Sequence, residues 1–371
     1  MRPLSQRLPD FPWDLLAPYA QRAAQHPGGI VDLSVGTPVD PVPPFIQDAL
    51  GDAANAPGYP TTAGSPELRT AITGWLRRML GAELADSAVL PTVGSKEFIA
   101  WLPTLLGLGP NSTVVVPQIA YPTYAVGAEL VGANVVVSDS TSSVGPASPD
   151  VFWLNSPSNP TGRVLGVEHL RKVVEWARER GTLVVSDECY IELAWDAQPI
   201  SILHPEVCGG THDGLLAVHS LSKRSNLAGY RFGFVAGDQA VVSELLAVRK
   251  HLGMMVPAPV QAAAIAALND DAHVIEQRSR YRARRALLKA ALLEAGFTIE
   301  HGEAGLYLWA TRGEPCWDTV AALAEIGVLA TPGDFYGIAG QRSIRVALTA
   351  HDDQVATAAE RITSAFSPSA R

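Results

Sequence analysis

Between residues 88 and 240, short apolar runs alternate with segments of helical periodicity, and this alternation limits the possible folds. TVVVP (113–117), NVVVSD (134–139) and TLVVSDECY (182–190) predict strands, whereas VEHLRKVVEWARERG (167–181) predicts an amphipathic helix. Apolar strands that alternate with helices form βαβ units, in which helices cover both faces of a mostly parallel sheet. The sequence therefore predicts an α/β fold.

A second, smaller unit is predicted after this region. Residues 273–296 predict one long helix with several arginines, which we expect to form a solvated face. GLYLWA, VLATP and SIRVALT then predict short strands with helices between them. The expected organisation is an N-terminal arm with part of the small domain (1–35), a large domain (36–270) and a small α+β domain (271–371).

Composition narrows the possible partners. The chain has 371 residues and a net charge of −9, which disfavours nucleic acid because phosphate backbones require a basic surface. Three scattered cysteines form no disulfide framework, and no metal-ligand spacing is found, so we expect no catalytic metal. The first residues lack the apolar segment of a signal peptide, and no apolar run is long enough to span a bilayer. We expect a cytoplasmic protein without a membrane partner.

Four polar residues follow predicted strands, where ligands bind in open α/β sheets. Asn159, Asp187, Tyr190 and Lys223 each have an ordinary structural explanation when taken singly, such as a turn, a helix cap or packing. Together they match the needs of pyridoxal 5′-phosphate. Its aldehyde needs an amine, its ring nitrogen needs a carboxylate to stay protonated, and its phenolic oxygen needs hydrogen-bond donors.

The rest of that cofactor also has candidate ligands. An aromatic side chain, Tyr121, is suited to stack on the ring. The phosphate needs backbone N–H groups at the start of a helix, with hydroxyls and an arginine beside them. TVGSKEFIAWL (92–102) predicts a glycine turn that opens a helix. The candidate phosphate ligands are Gly94, Ser95, Lys96, Ser220, Ser222 and Arg231.

Three segments resemble the signatures of one family. NSPSNPTG (155–162), SDECY (186–190) and SLSKRSNLAGYRFGF (220–234) are similar, in order and spacing, to those of the class I/II pyridoxal-phosphate-dependent aminotransferases of fold type I. The resemblance covers most of the chain, from about Gly36 to Arg345. It implies a large domain, with a mostly parallel sheet between helices, and a smaller α+β domain.

The resemblance also implies roles for individual residues. Lys223 would bind the cofactor covalently and move the proton at the substrate carbon, with Asp187 at the ring nitrogen and Asn159 and Tyr190 at the phenolic oxygen. Lys223, Asp187 and Tyr190 are therefore the expected catalytic residues. The cofactor ligands would be Ser95, Lys96, Tyr121, Asn159, Asp187, Tyr190, Ser220, Ser222, Lys223 and Arg231. Tyr59 would reach the phosphate of a neighbouring subunit, which implies a homodimer with shared active sites.

The substrate's carboxylate is expected to meet three of the family's residues. Gly36, in VGTP, would contact it through the backbone, and Asn159 would lie beside it. Arg345, in SIRVAL, would clamp it with two parallel hydrogen bonds, a geometry that suits arginine better than lysine. Arg342 is the alternative for this clamp.

The implied reaction is a ping-pong exchange of an amino group between amino acids and 2-oxo acids. The segments at residues 31–50, 91–109, 245–263 and 306–316 resemble the actinobacterial N-succinyldiaminopimelate aminotransferases, so the expected pair is glutamate and N-succinyl-2-amino-6-oxopimelate. Such a substrate carries extra carboxylates. The possible extra cations are Lys96, Arg163, Arg249 and Lys250, although the last two fit a solvated helix end more simply.

Three alternatives remain open. An aminotransferase for aromatic amino acids, prephenate or aspartate would share every residue named above. A pyridoxal-phosphate-dependent C–S lyase on the same fold would keep Lys223, Asp187 and Arg345. A cofactor-binding regulator would need an added basic DNA-binding domain, which is disfavoured because the chain is acidic and its aminotransferase pattern begins almost at once.

Overall fold

The structure, a computed structural model, describes residues 3–6 and 8–366. Within these residues the strands are β1 (Val31–Asp32), β2 (Val89–Thr92), β3 (Thr113–Val116), β4 (Asn134–Val137), β5 (Val151–Asn155), β6 (Leu183–Asp187), β7 (Leu215–Ser220), β8 (Gly233–Gly237), β9 (Thr298–Ile299), β10 (Tyr307–Thr311), β11 (Val328–Leu329), β12 (Thr331–Pro332) and β13 (Ile344–Ala347). The α-helices are α1 (Ala17–Ala24), α2 (Pro44–Asp52), α3 (Pro66–Leu80), α4 (Ser95–Leu105), α5 (Thr123–Val131), α6 (Thr141–Val144), α7 (Val167–Arg178), α8 (Pro205–Cys208), α9 (Leu221–Arg224), α10 (Gln239–Leu252), α11 (Ala258–Asn269), α12 (Ala272–Glu294), α13 (Cys316–Glu325) and α14 (Asp352–Phe366).

A seven-stranded sheet forms the centre of the larger part of the molecule. Its strand order is β2-β8-β7-β6-β5-β3-β4, and only β8 runs antiparallel to its neighbours. The parallel strands are joined through helices, as the alternation in the sequence predicts. The predicted α/β fold is confirmed.

Apolar side chains cover both faces of this sheet, because successive residues of a strand point to opposite faces. Phe152 and Leu154 of β5 pack on the face that carries α7, whereas Trp153 packs on the face that carries α4 and α5. Helix α7 buries Leu170, Val173, Val174 and Ala177. The sheet is therefore buried on both sides, and polar groups along it are accessible at the strand ends.

The smaller part contains a four-stranded antiparallel sheet, in the order β12-β13-β10-β9, and the short parallel pair β1-β11. Its core joins Leu16 and Val31, near the start of the chain, to apolar residues between Tyr281 and Ile362. The boundaries at 35/36 and 270/271 stay a prediction, and residues 1–2, 7 and 367–371 of the predicted domains lie outside the described residues. Among the described residues, no helix combines the length and apolar character needed to cross a membrane.

Helix α12 differs from its prediction in where its arginines lie. Arg284 is buried, donates to both oxygens of Asp40 and pairs with Asp352 at 2.6 Å. Arg285 is also buried and pairs with Asp196. The expectation of a solvated face is wrong for these two side chains. Burial opposes the charge on Asp40, but hydrogen bonds from Arg284 and Gln277 hold the pKa of this carboxyl below its usual value.

Candidate active site

Polar side chains meet at the carboxyl edge of the central sheet. Asn155 ends β5, Asp187 ends β6 and Ser220 ends β7, and the register places Asn155 directly beside Asp187. Lys223 follows β7 within the short helix α9. The sequence therefore places these groups at one edge because three neighbouring parallel strands end there.

Asp187 is a buried carboxylate. Its side chain is 6% exposed, and it accepts hydrogen bonds from the Tyr124 hydroxyl at 2.7 Å and from the Cys189 backbone N–H at 3.1 Å. Among the described residues it forms no ion pair. Burial raises the pKa of Asp187, and the hydrogen bonds from Cys189 and Tyr124 oppose that rise. The carboxylate thus lacks the cation that would stabilise it.

Lys223 is half-buried, and its amine donates to the backbone oxygen of Gly36. Burial lowers the pKa of Lys223, and the charges of Arg345 and Arg231 lower it further, while Tyr307 acts in the opposite direction. A lysine with a lowered pKa has more of its amine in the neutral, nucleophilic form. Such an amine is suited to react with an aldehyde.

A candidate anion site lies at the start of α4. Gly94 precedes this helix with φ +76°, and a Cβ there would come within 2.4 Å of an Arg231 nitrogen. Ser95 begins the helix, and the Ser220 hydroxyl donates to that of Ser222 at 3.0 Å. Arg231 is exposed and forms no ion pair among the described residues. Backbone N–H groups at a helix start, together with an arginine that has no carboxylate partner among the described residues, match the needs of a phosphate.

Asn159 and Tyr190 line the same edge. The backbone N–H of Asn159 donates to the Asn155 side chain at 2.7 Å, which holds its loop against β5. The Tyr190 hydroxyl lies 3.1 Å from that of Tyr307. Both side chains are buried, so each is fixed before any ligand arrives. The structure brings both of these predicted residues to the site.

Arg345 is held on several sides. It is 3% exposed, donates to the Asn159 side chain at 3.2 Å and to the Ser34 backbone oxygen at 2.5 Å, and lies 4.1 Å from the Tyr307 ring centroid. Arg342, the alternative for the carboxylate clamp, is exposed and donates to a backbone oxygen away from these residues. Of these two arginines, Arg345 is therefore the one that lies next to Asn159.

Aromatic rings form the rim of the site. Tyr121 packs edge-on against Tyr124, with ring centroids 6.0 Å apart. The exposed Lys96 amine lies 5.9 Å from the Tyr121 ring centroid and 5.6 Å from that of Phe11. The Lys96 side chain therefore turns towards these two rings, and its backbone alone remains at the start of α4. We call the group formed by Phe11, Trp13, Tyr121 and Lys96 the rim.

The other candidate cations differ in their availability. Arg249 is fully buried and pairs with Glu97 at 2.9 Å, so the interpretation as a solvated helix end is wrong for it. Lys250 is exposed, and Arg163 is exposed beside a groove that also contains His169 and Glu300. Arg249 is thus occupied, whereas Lys96 has no carboxylate partner among the described residues.

Sequence reasoning missed two tyrosines at the site. Tyr124 bonds to Asp187, and Tyr307 bonds to Tyr190 and stacks on Arg345. Both are buried side chains within a helix or strand, where an aromatic residue normally indicates packing. A possible signal for Tyr307 is the strand register. Trp309 pairs with Arg345, so Tyr307, two residues earlier in β10, is a diagonal neighbour of Arg345 on the same face of the sheet.

Known proteins resemble this chain along nearly all its length. The model of the family described as aminotransferase class I and II matches residues 29–362. The chain belongs to this family. A probable aminotransferase of Mycobacterium tuberculosis is 64% identical to it over 361 residues, which cover 97% of this chain and 86% of that protein.

Two further relatives carry more specific descriptions. The 4-dedimethylamino-4-oxo-anhydrotetracycline transaminase OxyQ of Streptomyces rimosus is 58% identical to this aminotransferase over 358 residues, covering 96% of this chain and all of OxyQ. The solved structure of a probable N-succinyldiaminopimelate aminotransferase from Thermus thermophilus has a TM-score of 0.86 at 26% identity, covering 96% of this chain and 100% of that one. The fold is that of the fold type I aminotransferases.

The aminotransferase depends on pyridoxal phosphate, as its family does, and the residues of the site fit that cofactor. Asp187 is a buried carboxylate without a cation, which the protonated ring nitrogen would supply. Lys223 offers an amine with a lowered pKa, and Arg231 with the start of α4 offers an anion site. These three chemical needs are distinct, and one pyridoxal phosphate molecule meets all of them.

A buried acid lies behind the site, on the opposite side of β6 from Asp187. Burial raises the pKa of Glu188 to about 7, while burial lowers that of its neighbour His219 to about 3. The two side chains lie 3.6 Å apart. Because the folded protein favours protonated Glu188, the stability that this residue contributes is lost as the pH rises from 4.5 to 7.

Glu188→Gln should therefore stabilise the protein above pH 7. We expect the free energy of unfolding to increase on the order of 1–3 kcal/mol at pH 8, and this gain to disappear near pH 4.5. The reason is that glutamine keeps the acceptor for the Ile202 N–H and has no proton to lose. Urea unfolding of both proteins at a series of pH values measures it. Glu175→Gln, at an exposed position of α7, is the matched control. An equal gain at every pH would contradict this assignment.

Proposed function

We propose that this aminotransferase exchanges an amino group between glutamate and N-succinyl-2-amino-6-oxopimelate, a step of lysine and diaminopimelate synthesis. The observation that carries the proposal is Lys96, an exposed cation without a carboxylate partner among the described residues, held by aromatic rings at the rim. Both amino donors carry carboxylates beyond the one that Arg345 would clamp. The solved structure described as a probable N-succinyldiaminopimelate aminotransferase supports the same substrate class.

Within this proposal, four side chains act on the cofactor. When bound, pyridoxal phosphate supplies an aldehyde for the amino group and a ring that takes up electrons. Asp187 keeps the positive charge on the ring nitrogen, and Tyr190 and Asn159 donate to the phenolic oxygen. The Lys223 amine would take the proton from the substrate carbon and return it at the other end of the exchange.

The substrate's α-carboxylate is assigned to Arg345. Its guanidinium is already oriented by Asn159, Ser34 and the Tyr307 ring, so little conformational entropy is lost when the carboxylate binds. The backbone of Gly36 approaches the Lys223 amine, and a side chain at Gly36 would collide with Tyr307. Gly36 thus contacts the amine, and Tyr307 contacts both Gly36 and the clamp.

The same proposal includes a homodimer. Tyr59 is 95% exposed, which is unusual for an aromatic side chain and agrees with a role in a partner's active site. Its hydroxyl would reach the partner's phosphate, next to Arg231, Ser95 and Ser220. A location in the cytoplasm stays a prediction.

Lys96→Ala should weaken the binding of substrates with a distal carboxylate. We expect the KM for glutamate and for N-succinyl-LL-2,6-diaminopimelate to rise about fivefold, since a partly exposed charge-assisted contact contributes on the order of 1 kcal/mol. Steady-state kinetics with each donor measures the change. Cofactor affinity should stay within about twofold, because the substitution keeps the backbone N–H at the phosphate site.

Lys172→Ala, at an exposed position of α7, is the control for loss of a surface charge. The KM for phenylalanine, if it is a substrate at all, should not respond to Lys96→Ala. Unchanged KM values for both dicarboxylic donors would remove Lys96 from substrate recognition.

A second candidate function is amino transfer to a large cyclic ketone. OxyQ, which is matched along its whole length at 58% identity, is described as a transaminase of a tetracycline precursor. Phe11 is 54% exposed, and its ring lies 5.6 Å from that of Trp13, so the rim could stack on a planar ring system. The rim thus fits a planar ketone as well as a carboxylate.

An absorbance titration of the cofactor, without a keto acid, separates these possibilities. Glutamate and N-succinyl-LL-2,6-diaminopimelate should each change the spectrum, with aspartate and phenylalanine much weaker. A response to phenylalanine or aspartate instead would indicate one of the other aminotransferase specificities. A response to a cyclic amine alone would favour the second candidate. Release of pyruvate or ammonia without an acceptor would indicate a C–S lyase.

A further inference from the structure

We propose that Tyr307 is a positioning residue that joins the two halves of the site. Its hydroxyl orients the donor to the cofactor's phenolic oxygen, and its ring orients the arginine of the carboxylate clamp. This inference rests on the roles proposed above for Tyr190 and Arg345. The three signature segments of the family do not include Tyr307, which lies in the strand segment GLYLWA.

The position of Tyr307 makes the connection possible. It begins β10, in the smaller sheet, and is 4% exposed. Its hydroxyl lies 3.1 Å from that of Tyr190, which follows β6 of the central sheet, and the two rings are 5.8 Å apart in an edge-to-face arrangement. One hydrogen bond therefore connects side chains from the two sheets.

The direction of this hydrogen bond follows from the role of Tyr190. If the Tyr190 hydroxyl donates to the phenolic oxygen, its own oxygen is left to accept, and the available donor is the Tyr307 hydroxyl. Consecutive hydrogen bonds strengthen each other in a buried site, so Tyr307 makes Tyr190 the better donor. The anionic form of the phenolic oxygen is then stabilised, and the cofactor's absorbance transition moves to lower pH.

Other charged or titratable groups face Tyr307 from each side. Arg345 lies over its ring, and the Lys223 amine interacts with it electrostatically, whereas Tyr190, Tyr281 and Tyr336 are phenols. Burial holds the pKa values of these three phenols above the usual value, with Arg345 opposing the shift at Tyr190 and Tyr336. These three phenols therefore stay neutral near neutral pH, and the hydrogen bond between Tyr190 and Tyr307 persists there.

The Tyr307 ring acts on Arg345. The guanidinium carbon lies 4.1 Å from the ring centroid, within the range of a cation–π contact, and both side chains are buried. The hydroxyl also fills the space beside Gly36, because a Cβ at that glycine would lie 2.0 Å from the Tyr307 oxygen. Tyr307 thus packs against the loop at Gly36, against Arg345 and against Tyr190.

Two substitutions separate the hydroxyl from the ring. Tyr307→Phe removes the hydroxyl alone, so the pH midpoint of the cofactor's absorbance, recorded without substrate, should rise by about half a pH unit, while the KM for glutamate stays within about twofold. Tyr307→Leu removes the ring as well, and should give the same midpoint together with a KM that is about tenfold higher. Tyr281→Phe, which removes another buried phenol, should change neither value.

The outcomes are distinct from those of the proposed function. The pH titration of the cofactor's absorbance contains no amino donor, so its result stays valid even if glutamate proves not to be the substrate. The KM measurement is then repeated with the donor that does react. An unchanged midpoint in Tyr307→Phe would overturn the role of the hydroxyl. An unchanged KM in Tyr307→Leu would overturn the role of the ring. If both variants lost the same melting temperature, with no change in the absorbance midpoint or the KM, Tyr307 would be a packing residue only.

Discussion

Lys223→Ala should lower kcat by about 10⁴-fold or more, because the substitution removes both the amine that bonds to the cofactor and the base that moves the substrate's proton. Among residues 3–6 and 8–366, no other lysine donates to Gly36, and burial with two nearby arginines lowers the pKa of Lys223. The Lys96 side chain, at the start of α4, turns towards the rim. Single-turnover kinetics with glutamate measures the loss.

A chemical test accompanies the kinetics. Borohydride reduction followed by peptide mass analysis should place the cofactor on the peptide that contains Lys223 in the unaltered enzyme, and on no peptide in Lys223→Ala. Lys172→Ala, on the exposed face of α7, should retain both activity and labelling. Labelling of another lysine in the unaltered enzyme would remove Lys223 from this role.

Asp187→Asn should lower kcat by about 10³-fold or more, since a neutral amide cannot stabilise the positive charge on the ring nitrogen. The geometry suits the test, because the amide oxygen can still accept from Tyr124 or Cys189 and the buried volume hardly changes. Steady-state kinetics with saturating cofactor measures the loss. Asp213→Asn, at an exposed position, is the matched control.

The same substitution should have the opposite effect on the cofactor-free protein. Burial raises the pKa of Asp187, so the folded state favours the protonated acid, and stability is lost as the pH rises above 3.8 towards the raised value. Asp187→Asn removes this loss, and the melting temperature of the cofactor-free variant at pH 7.5 should equal or exceed that of the unaltered protein. A lower melting temperature would show that Asp187 has a cation partner without cofactor.

The elements of the central sheet were predictable because their signals are local. Apolar runs such as TVVVP and NVVVSD coincide with β3 and β4 to within two residues, and helix 167–181 coincides with α7 except at its end. The residues at the strand ends followed from the same reasoning, since parallel strands bring their carboxyl ends to one edge. The residue types at the strand ends then indicated the cofactor. In the structure, burial raises the pKa of Asp187 and lowers that of Lys223, and these environments suit their expected roles.

The hydrogen-bond partners were not predictable, because they depend on residues far apart in the sequence. Arg284 resembles any exposed helical arginine until Asp40, 244 residues earlier, is placed beside it. Tyr124 similarly reaches Asp187 across 63 residues. No local pattern distinguishes a buried tyrosine that packs from one that also donates a hydrogen bond to a functional group.

The discontinuous core of the smaller part has a consequence for synthesis of the chain. Residues 89–237 contain all seven strands of the central sheet and can pair as they leave the ribosome. Leu16 and Val31, however, are buried against apolar residues between Tyr281 and Ile362, so they must wait for most of the protein to be translated. Arg345 arrives in that late segment. In a nascent chain, the cofactor-binding residues of the central sheet would therefore assemble before the residue that binds the substrate's carboxylate is synthesised. Chaperones would encounter an exposed N-terminal arm during that interval.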